Sequence, residues 1–84
     1  MFSLEFSSHA SKFLKKCDVS LAKRLLERIE NLSQDPFPSD VKRIVNKKEK
    51  IFRIRVGDYR ITYTVLYEKN LIFISDIDKR SRVY

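Results

Sequence analysis

Arginines and lysines are the side chains here whose number and spacing suit them to chemistry. Between Lys42 and Arg60 stand eight cations, Lys42, Arg43, Lys47, Lys48, Lys50, Arg53, Arg55 and Arg60, opposed only by Glu49 and Asp58. That stretch carries six of the chain's seven net positive charges. A second basic group, Lys79, Arg80 and Arg82, lies beside Tyr84. A localised basic stripe is the footprint of a phosphate-backbone binder. The same stripe would also serve as a solvated face that keeps the protein soluble. Charge of this kind speaks to partners, whether nucleic acid, an anionic surface or an acidic protein, and not to fold.

The segment Val56-Gly57-Asp58-Tyr59 decides how some of these cations meet. Gly-Asp between two alternating runs is a two-residue hairpin signal, with the glycine accepting positive φ. The register that follows sets Val56 against Tyr59, Arg55 against Arg60, Ile54 against Ile61 and Arg53 against Thr62. Arg55 and Arg60 become directly opposed neighbours, with Arg53 close by. Like charges so placed destabilise a sheet by roughly 0.2–1 kcal/mol, a cost that a bound polyanion would offset. Arginine suits that ligand, because its planar fork grips phosphate through two hydrogen bonds and stacks on bases. The alternative is that Asp76 or Asp78, on the neighbouring strand, neutralises the arginines. Thr62 and Thr64 share the face and can each offer a phosphate hydrogen bond. Tyr59, Tyr63 and Tyr67 alternate with the polar residues and are assigned to the core. Tyr84 has no apolar periodicity around it.

Other chemistries lack their residues. His9 stands at the start of the first helix, far in sequence from the basic stripe, and is expected to be a surface or capping residue. Cys17 lies on an apolar helix stripe, where a buried structural thiol is the expected reading. One cysteine forms no intramolecular disulfide, and no Cys/His spacing suits zinc, so neither metal nor cofactor is expected. No Ser/His/Asp, Cys/His or carboxylate pair lines up, and Gly57 is the only glycine, which leaves no glycine-rich phosphate loop. Any catalysis falls to Arg, Lys and Tyr. Such a set stabilises an anionic transition state well and performs acid–base work near neutral pH poorly.

The elements that must position these groups follow from periodicity. Phe2-Ser3-Leu4-Glu5-Phe6 alternates as a short strand, and Ser7 or Ser8 offers an N-cap. Ala10, Phe13, Leu14 and Cys17 form one helical stripe. Asp18 can cap a second helix whose buried stripe is Ala22, Leu25, Leu26, Ile29 and Leu32, ended at Asp35-Pro36-Phe37-Pro38. From Ile51 the period becomes 2, giving strands over 51–56 and 59–67. Lys69-Asn70 marks a turn before a third strand, Leu71 to Ile77, apolar enough on both faces to be interior. Residues 41–50 read as loop with a few strand residues. The expected fold is α+β, in the order β-α-α-β-β-β: a helical hairpin on one face of a small, mainly antiparallel sheet, the other face left for function.

Eighty-four residues make one domain, 1–84, which hides only about 60% of its unfolded surface and has little room for a deep cavity of its own. At 43% hydrophobic and 35% charged residues the chain is globular. There is no run of 18 apolar residues for a membrane span and no secretory signal, and the unpaired cysteine suits a reducing cytoplasm.

The run Ile51-Phe52-Arg53-Ile54-Arg55-Val56-Gly57-Asp58-Tyr59-Arg60-Ile61-Thr62-Tyr63 closely resembles the central motif of the RelE/ParE toxin superfamily. The ending Asp78-Lys79-Arg80-Ser81-Arg82-Val83-Tyr84 is similar to that family's basic C-terminal motif closing in a tyrosine. The resemblance spans the whole chain and is specific to the superfamily, not to one activity within it. It implies the toxin of a toxin–antitoxin pair, with a cognate antitoxin as partner. The RelE-like activity would be messenger RNA cleavage in the ribosomal decoding site, by attack of a nucleotide's 2′-hydroxyl on the adjacent phosphate. The resemblance implies that Arg60 and Arg80 stabilise charge on that phosphate, and that Tyr84 orients or stacks on a base. Arg53 and Arg55 stand where the best-known RelE form has lysines. Arginine is effectively never deprotonated, so Arg55 is assigned to electrostatic stabilisation. The base stays open between a ribosomal group, Tyr84 and Lys47, Lys48 or Lys50. The basic residues Arg53, Lys42, Arg43, Lys47, Lys48, Lys50, Lys79 and Arg82 would bind RNA and ribosome. The alternatives are a ParE-like inhibitor of DNA gyrase and a non-catalytic nucleic-acid-binding homologue.

Overall fold

The polypeptide begins with an alternating strand, β1 (Ser3–Phe6), whose half-buried Leu4 and Phe6 pack on the core. The computed structural model describes residues 1–44 and 50–79. Helix α1 (Ser8–Lys16) starts at once because Ser7 caps it, its hydroxyl accepting from the Ala10 N–H at 3.0 Å. Cys17 ends α1 and is half-buried, its thiol directed at the Leu14 carbonyl at 3.6 Å. Helix α2 (Val19–Gln34) is capped by Asp18, which accepts from the Leu21 N–H. It buries Leu25, Ile29 and Leu32. Leu26, expected on that stripe, is 37% exposed, and Leu21 packs on the core instead. A Leu21/Leu25/Ile29/Leu32 stripe keeps three- and four-residue steps, whereas Leu26 lies about 100° round from Leu25.

After the proline-bearing turn come β2 (Lys42–Ile44), β3 (Ile51–Val56), β4 (Tyr59–Leu66), a 3₁₀ turn over Tyr67–Lys69, and β5 (Leu71–Lys79). The five strands form one sheet in the order β1-β5-β4-β3-β2. β2 is thus one strand more than the β-α-α-β-β-β order expected. It is a three-residue edge pairing antiparallel with β3, too short to leave a period in the sequence. The β3–β4 and β4–β5 pairings are antiparallel too, while β1 lies parallel to β5. Tyr67 leaves the strand face for the 3₁₀ turn and is 62% exposed, its ring edge-on to Phe2, so it is not core as expected. Asn70 closes that turn at φ 51.

One core joins both helices to the sheet: Ala10, Leu25, Ile29 and Leu32 against Ile54, Ile61, Tyr63, Val65, Ile72, Ile74 and Ile77. In β5 the buried residues run 72, 74, then 77. The change of parity is a β-bulge: Thr62 faces Asp76 and Tyr63 faces Ile74, leaving Ser75 as the extra residue. Ser75 is held on both sides, its hydroxyl donating to the Thr62 carbonyl at 3.1 Å and its carbonyl accepting from the Ser7 hydroxyl at 2.8 Å. The bulge keeps Ile77 inside and turns Asp76 and Asp78 onto the uncovered face.

Candidate nucleic-acid interface

The hairpin between β3 and β4 sets the site. Gly57 has φ 60 while Asp58 does not share a positive φ, which is the pattern of a II′ turn with glycine first. The pairing is Val56 with Tyr59, Arg55 with Arg60, Ile54 with Ile61 and Arg53 with Thr62, the register expected from the Gly-Asp signal.

Following each pairing across the sheet gives two rows on the open face. Lys42, Arg53, Thr62 and Asp76 form one; Arg55, Arg60 and Asp78 form the other. The face is therefore polarised, cationic over β2, β3 and β4 and acidic at β5. Between the rows lies a shallow cleft of about 200 Å³ lined by Ile44, Arg53, Arg60, Thr62, Asp76 and Asp78. Arg53 and Arg60 are half-buried and Arg55 is exposed. The cationic surface continues around the β3 edge, where Arg24 and Arg28 of α2 meet Arg55. Arg28 binds both carboxylate oxygens of Asp40.

Not every expected cation joins this face. Arg43 pairs with Phe52 and Lys79 with Tyr59, so both alternate to the side the helices cover, exposed at its margins. Lys50 is exposed just before β3. Lys47, Lys48, Arg80, Arg82 and Tyr84 lie outside the described residues.

The structure adds a group that sequence separation concealed. β1 pairs with β5 only as far as Ile74, so residues 75–79 run past it, and the first turn of α1 fills the space alongside. There the His9 Nε2 lies 2.9 Å from Asp76 Oδ1 and 3.3 Å from Asp78 Oδ1. His9 is a surface residue, as expected, but it caps nothing, and it touches the acidic edge of the cleft. Burial raises the Asp76 carboxyl above its ordinary value, the hydrogen bond and charge of Asp78 raise it further, and His9 opposes both. The aspartates thus stand beside Arg60, as the neutralising alternative required, and also hold His9. The parity break at Ser75 was the sequence signal for their face; nothing in the sequence pointed His9 toward them.

Chemically, the cationic side can bind and neutralise a phosphate, and its arginines cannot exchange protons near neutral pH. No helix among the described residues is long and apolar enough to cross a membrane.

The chain is similar to known proteins along nearly its whole length. Residues 4–84 match the family described as the ParE toxin of the parDE type II toxin–antitoxin system. A relative named as the toxin RelE1 of Methanocaldococcus jannaschii is 34% identical, over 99% of this chain and 94% of its own. Among solved structures, the archaeal RelE–RelB complex of Pyrococcus horikoshii superposes with a TM-score of 0.84 at 26% identity, covering 98% of both chains. The isolated Escherichia coli RelE toxin gives 0.83 at 21% identity, over 98% of this chain and 87% of that one, a likeness of fold.

Proposed function

This chain belongs to the RelE/ParE toxin superfamily as the toxin of a type II toxin–antitoxin system, and from that premise we propose that it cleaves messenger RNA on the ribosome. The observation that carries the proposal is the opposed pair Arg55–Arg60 with Arg53 beside it, on a sheet face the helices leave open. A toxin acting only through protein contacts has less use for convergent phosphate ligands.

In the proposed reaction the 2′-hydroxyl oxygen of one nucleotide attacks the adjacent phosphorus. A new P–O2′ bond forms as the P–O5′ bond breaks, the 2′-hydroxyl proton goes to a base, and the departing 5′-oxygen receives a proton. Negative charge grows on the phosphate oxygens at the transition state. Arg60, with Arg80 from the C-terminal motif, stabilises that charge, and Arg55 adds to the field. Tyr84 orients or stacks on a base. Arg53, Lys42, Lys47, Lys48, Lys50 and Arg82 hold the RNA and ribosomal backbone, with Arg43 and Lys79 at the margins. The proton acceptor is supplied by the ribosome, Tyr84 or one of Lys47, Lys48 and Lys50, because the arginines stay charged. The partner that restrains the toxin is a cognate antitoxin, and the basic face favours an acidic segment whose binding weakens with salt.

Primer extension on messenger RNA translated by purified ribosomes tests the reading. We expect position-specific cleavage, reduced about 100-fold or more in Arg60→Ala, the scale for losing one preorganised transition-state contact. Cleavage unchanged in that variant would remove Arg60 from the site. An intact transcript alongside inhibited DNA gyrase would replace this activity with the ParE one.

A further inference from the structure

We propose that His9, Asp76 and Asp78 form a site for one first-row divalent cation of the zinc type, and that its occupancy sets the charge of the cleft beside Arg60. The site goes beyond the nuclease reading and does not depend on it.

Two segments nearly seventy residues apart supply the donors, and one ligand atom from each residue lies within 4.8 Å of the others. The His9 Nε2 is 2.9 Å from one carboxylate oxygen and 3.3 Å from the other. Imidazole nitrogen and carboxylate oxygen bound at their usual lengths to a shared tetrahedral or octahedral ion stand about 2.9–3.5 Å apart. Both separations match edges of such a polyhedron, so two of the three donor–donor edges that a cation needs are already present. Exposure helps, since the His9 and Asp78 side chains are 56% and 52% accessible and can adjust without disturbing the core.

The donor set selects the ion. Two carboxylates balance a dication, and a neutral imidazole favours zinc and its neighbours over magnesium or calcium, which prefer oxygen alone. Three protein ligands leave a position for water or a phosphate oxygen, as in open zinc sites. The backbone carrying the ligands is also fixed. Ser7, two residues before His9, donates to Ser75, the residue before Asp76, and Ser75 donates to Thr62.

The cleft gives the site a consequence. Asp76 and Asp78 line it together with Arg53 and Arg60, so the charges of these four side chains cancel. A bound dication would leave that wall with two net positive charges, and the anion affinity of the cleft would rise with metal.

The test uses the full chain, stripped with chelator and dialysed, then titrated with Zn²⁺ by calorimetry and with Co²⁺ by visible absorption. The expected result is one ion per chain. His9→Ala and Asp76→Asn should each weaken binding by about tenfold or more, with unchanged thermal melting, while Cys17→Ser binds as the parent does. Asp78→Asn takes the place of Asp76→Asn if that variant melts early. No binding, binding undiminished in His9→Ala, or binding lost only in Cys17→Ser would overturn the site. For the coupling, fluorescence anisotropy of a labelled single-stranded DNA, which lacks the 2′-hydroxyl, follows anion affinity with no cleavage involved. Zn²⁺ should tighten it in the parent chain and not in His9→Ala. Equal affinity with and without the ion would sink the coupling.

Discussion

The two faces of this sheet are built from the same five strands and obey opposite rules. On the helix side, Ile54, Ile61, Tyr63, Val65, Ile72, Ile74 and Ile77 are sealed from water, and the buried Tyr63 phenol donates to the Pro36 carbonyl. On the open side, the register sets Arg55 against Arg60, with Asp78 on the far side of Arg60 to offset their repulsion. Cations and carboxylates there are sorted by strand instead of being interleaved. Stability is concentrated on one face, so the other can hold an arrangement chosen for a partner.

Several changes would break or sharpen this contrast. Ile77→Asp should have the largest effect. It sets an unpaired carboxylate at a position sealed inside the covered face. Loss of the cooperative unfolding transition in circular dichroism is the expected outcome, and a native-like melt would show that the bulge does not hold residue 77 inside. Ile61→Ala, which opens the centre of the covered face, should cost about 2–5 kcal/mol in urea denaturation. Tyr63→Phe should cost about 1 kcal/mol near neutral pH through the hydrogen bond to Pro36. Burial raises the Tyr63 phenol above its ordinary value of 10.0. Its contribution is therefore complete below pH 10 and is lost as the pH rises beyond it. The stability gap between parent and Tyr63→Phe should narrow when urea midpoints are compared at pH 8 and pH 10.5, whereas a constant gap would show that the phenol does not titrate differently on folding. The smallest change is on the open face: Arg55→Thr should leave stability within about 0.5 kcal/mol of the parent, or raise it by that much. A loss like that of Ile61→Ala would mean that the arginine row is structural.

How far the sequence discloses these faces depends on how local each determinant is. The Gly57-Asp58 turn fixes its own register, because a two-residue loop leaves one way for the flanking strands to pair, and so the Arg55–Arg60 opposition was legible. The helix stripes were legible except at Ala22, which is half-buried outside the core, and at Leu26, where two adjacent leucines compete and tertiary packing favours the Leu21 side. Residues 41–50 were legible only as loop with a few strand residues, since the three residues of β2 carry no period and depend on β3 for their hydrogen bonds. The meeting of His9 with Asp76 and Asp78 was hidden for a different reason. It arises from a parallel pairing of distant segments, from β1 stopping at Phe6, and from the bulge, none of which is a property of the residues near His9. Lys79 and Arg43 show the same limit in reverse: basic in composition, they alternate to the other face.

The parallel pairing of β1 with β5 also governs when this toxin comes into being. Ser3 through Phe6 hydrogen-bond to Leu71 through Ile74, and the Ser7 backbone N–H donates to the Ile74 carbonyl at 2.9 Å. A nascent chain synthesised only as far as the β3–β4 hairpin has nothing beside which β1 can lie, and half of the core isoleucines lack their neighbours. Completion of the sheet waits for Leu71–Lys79, the last of the five described strands to be synthesised. Contacts this distant in sequence form late. The parallel ladder and the acidic edge of the cleft therefore come into being together, once β5 has been made.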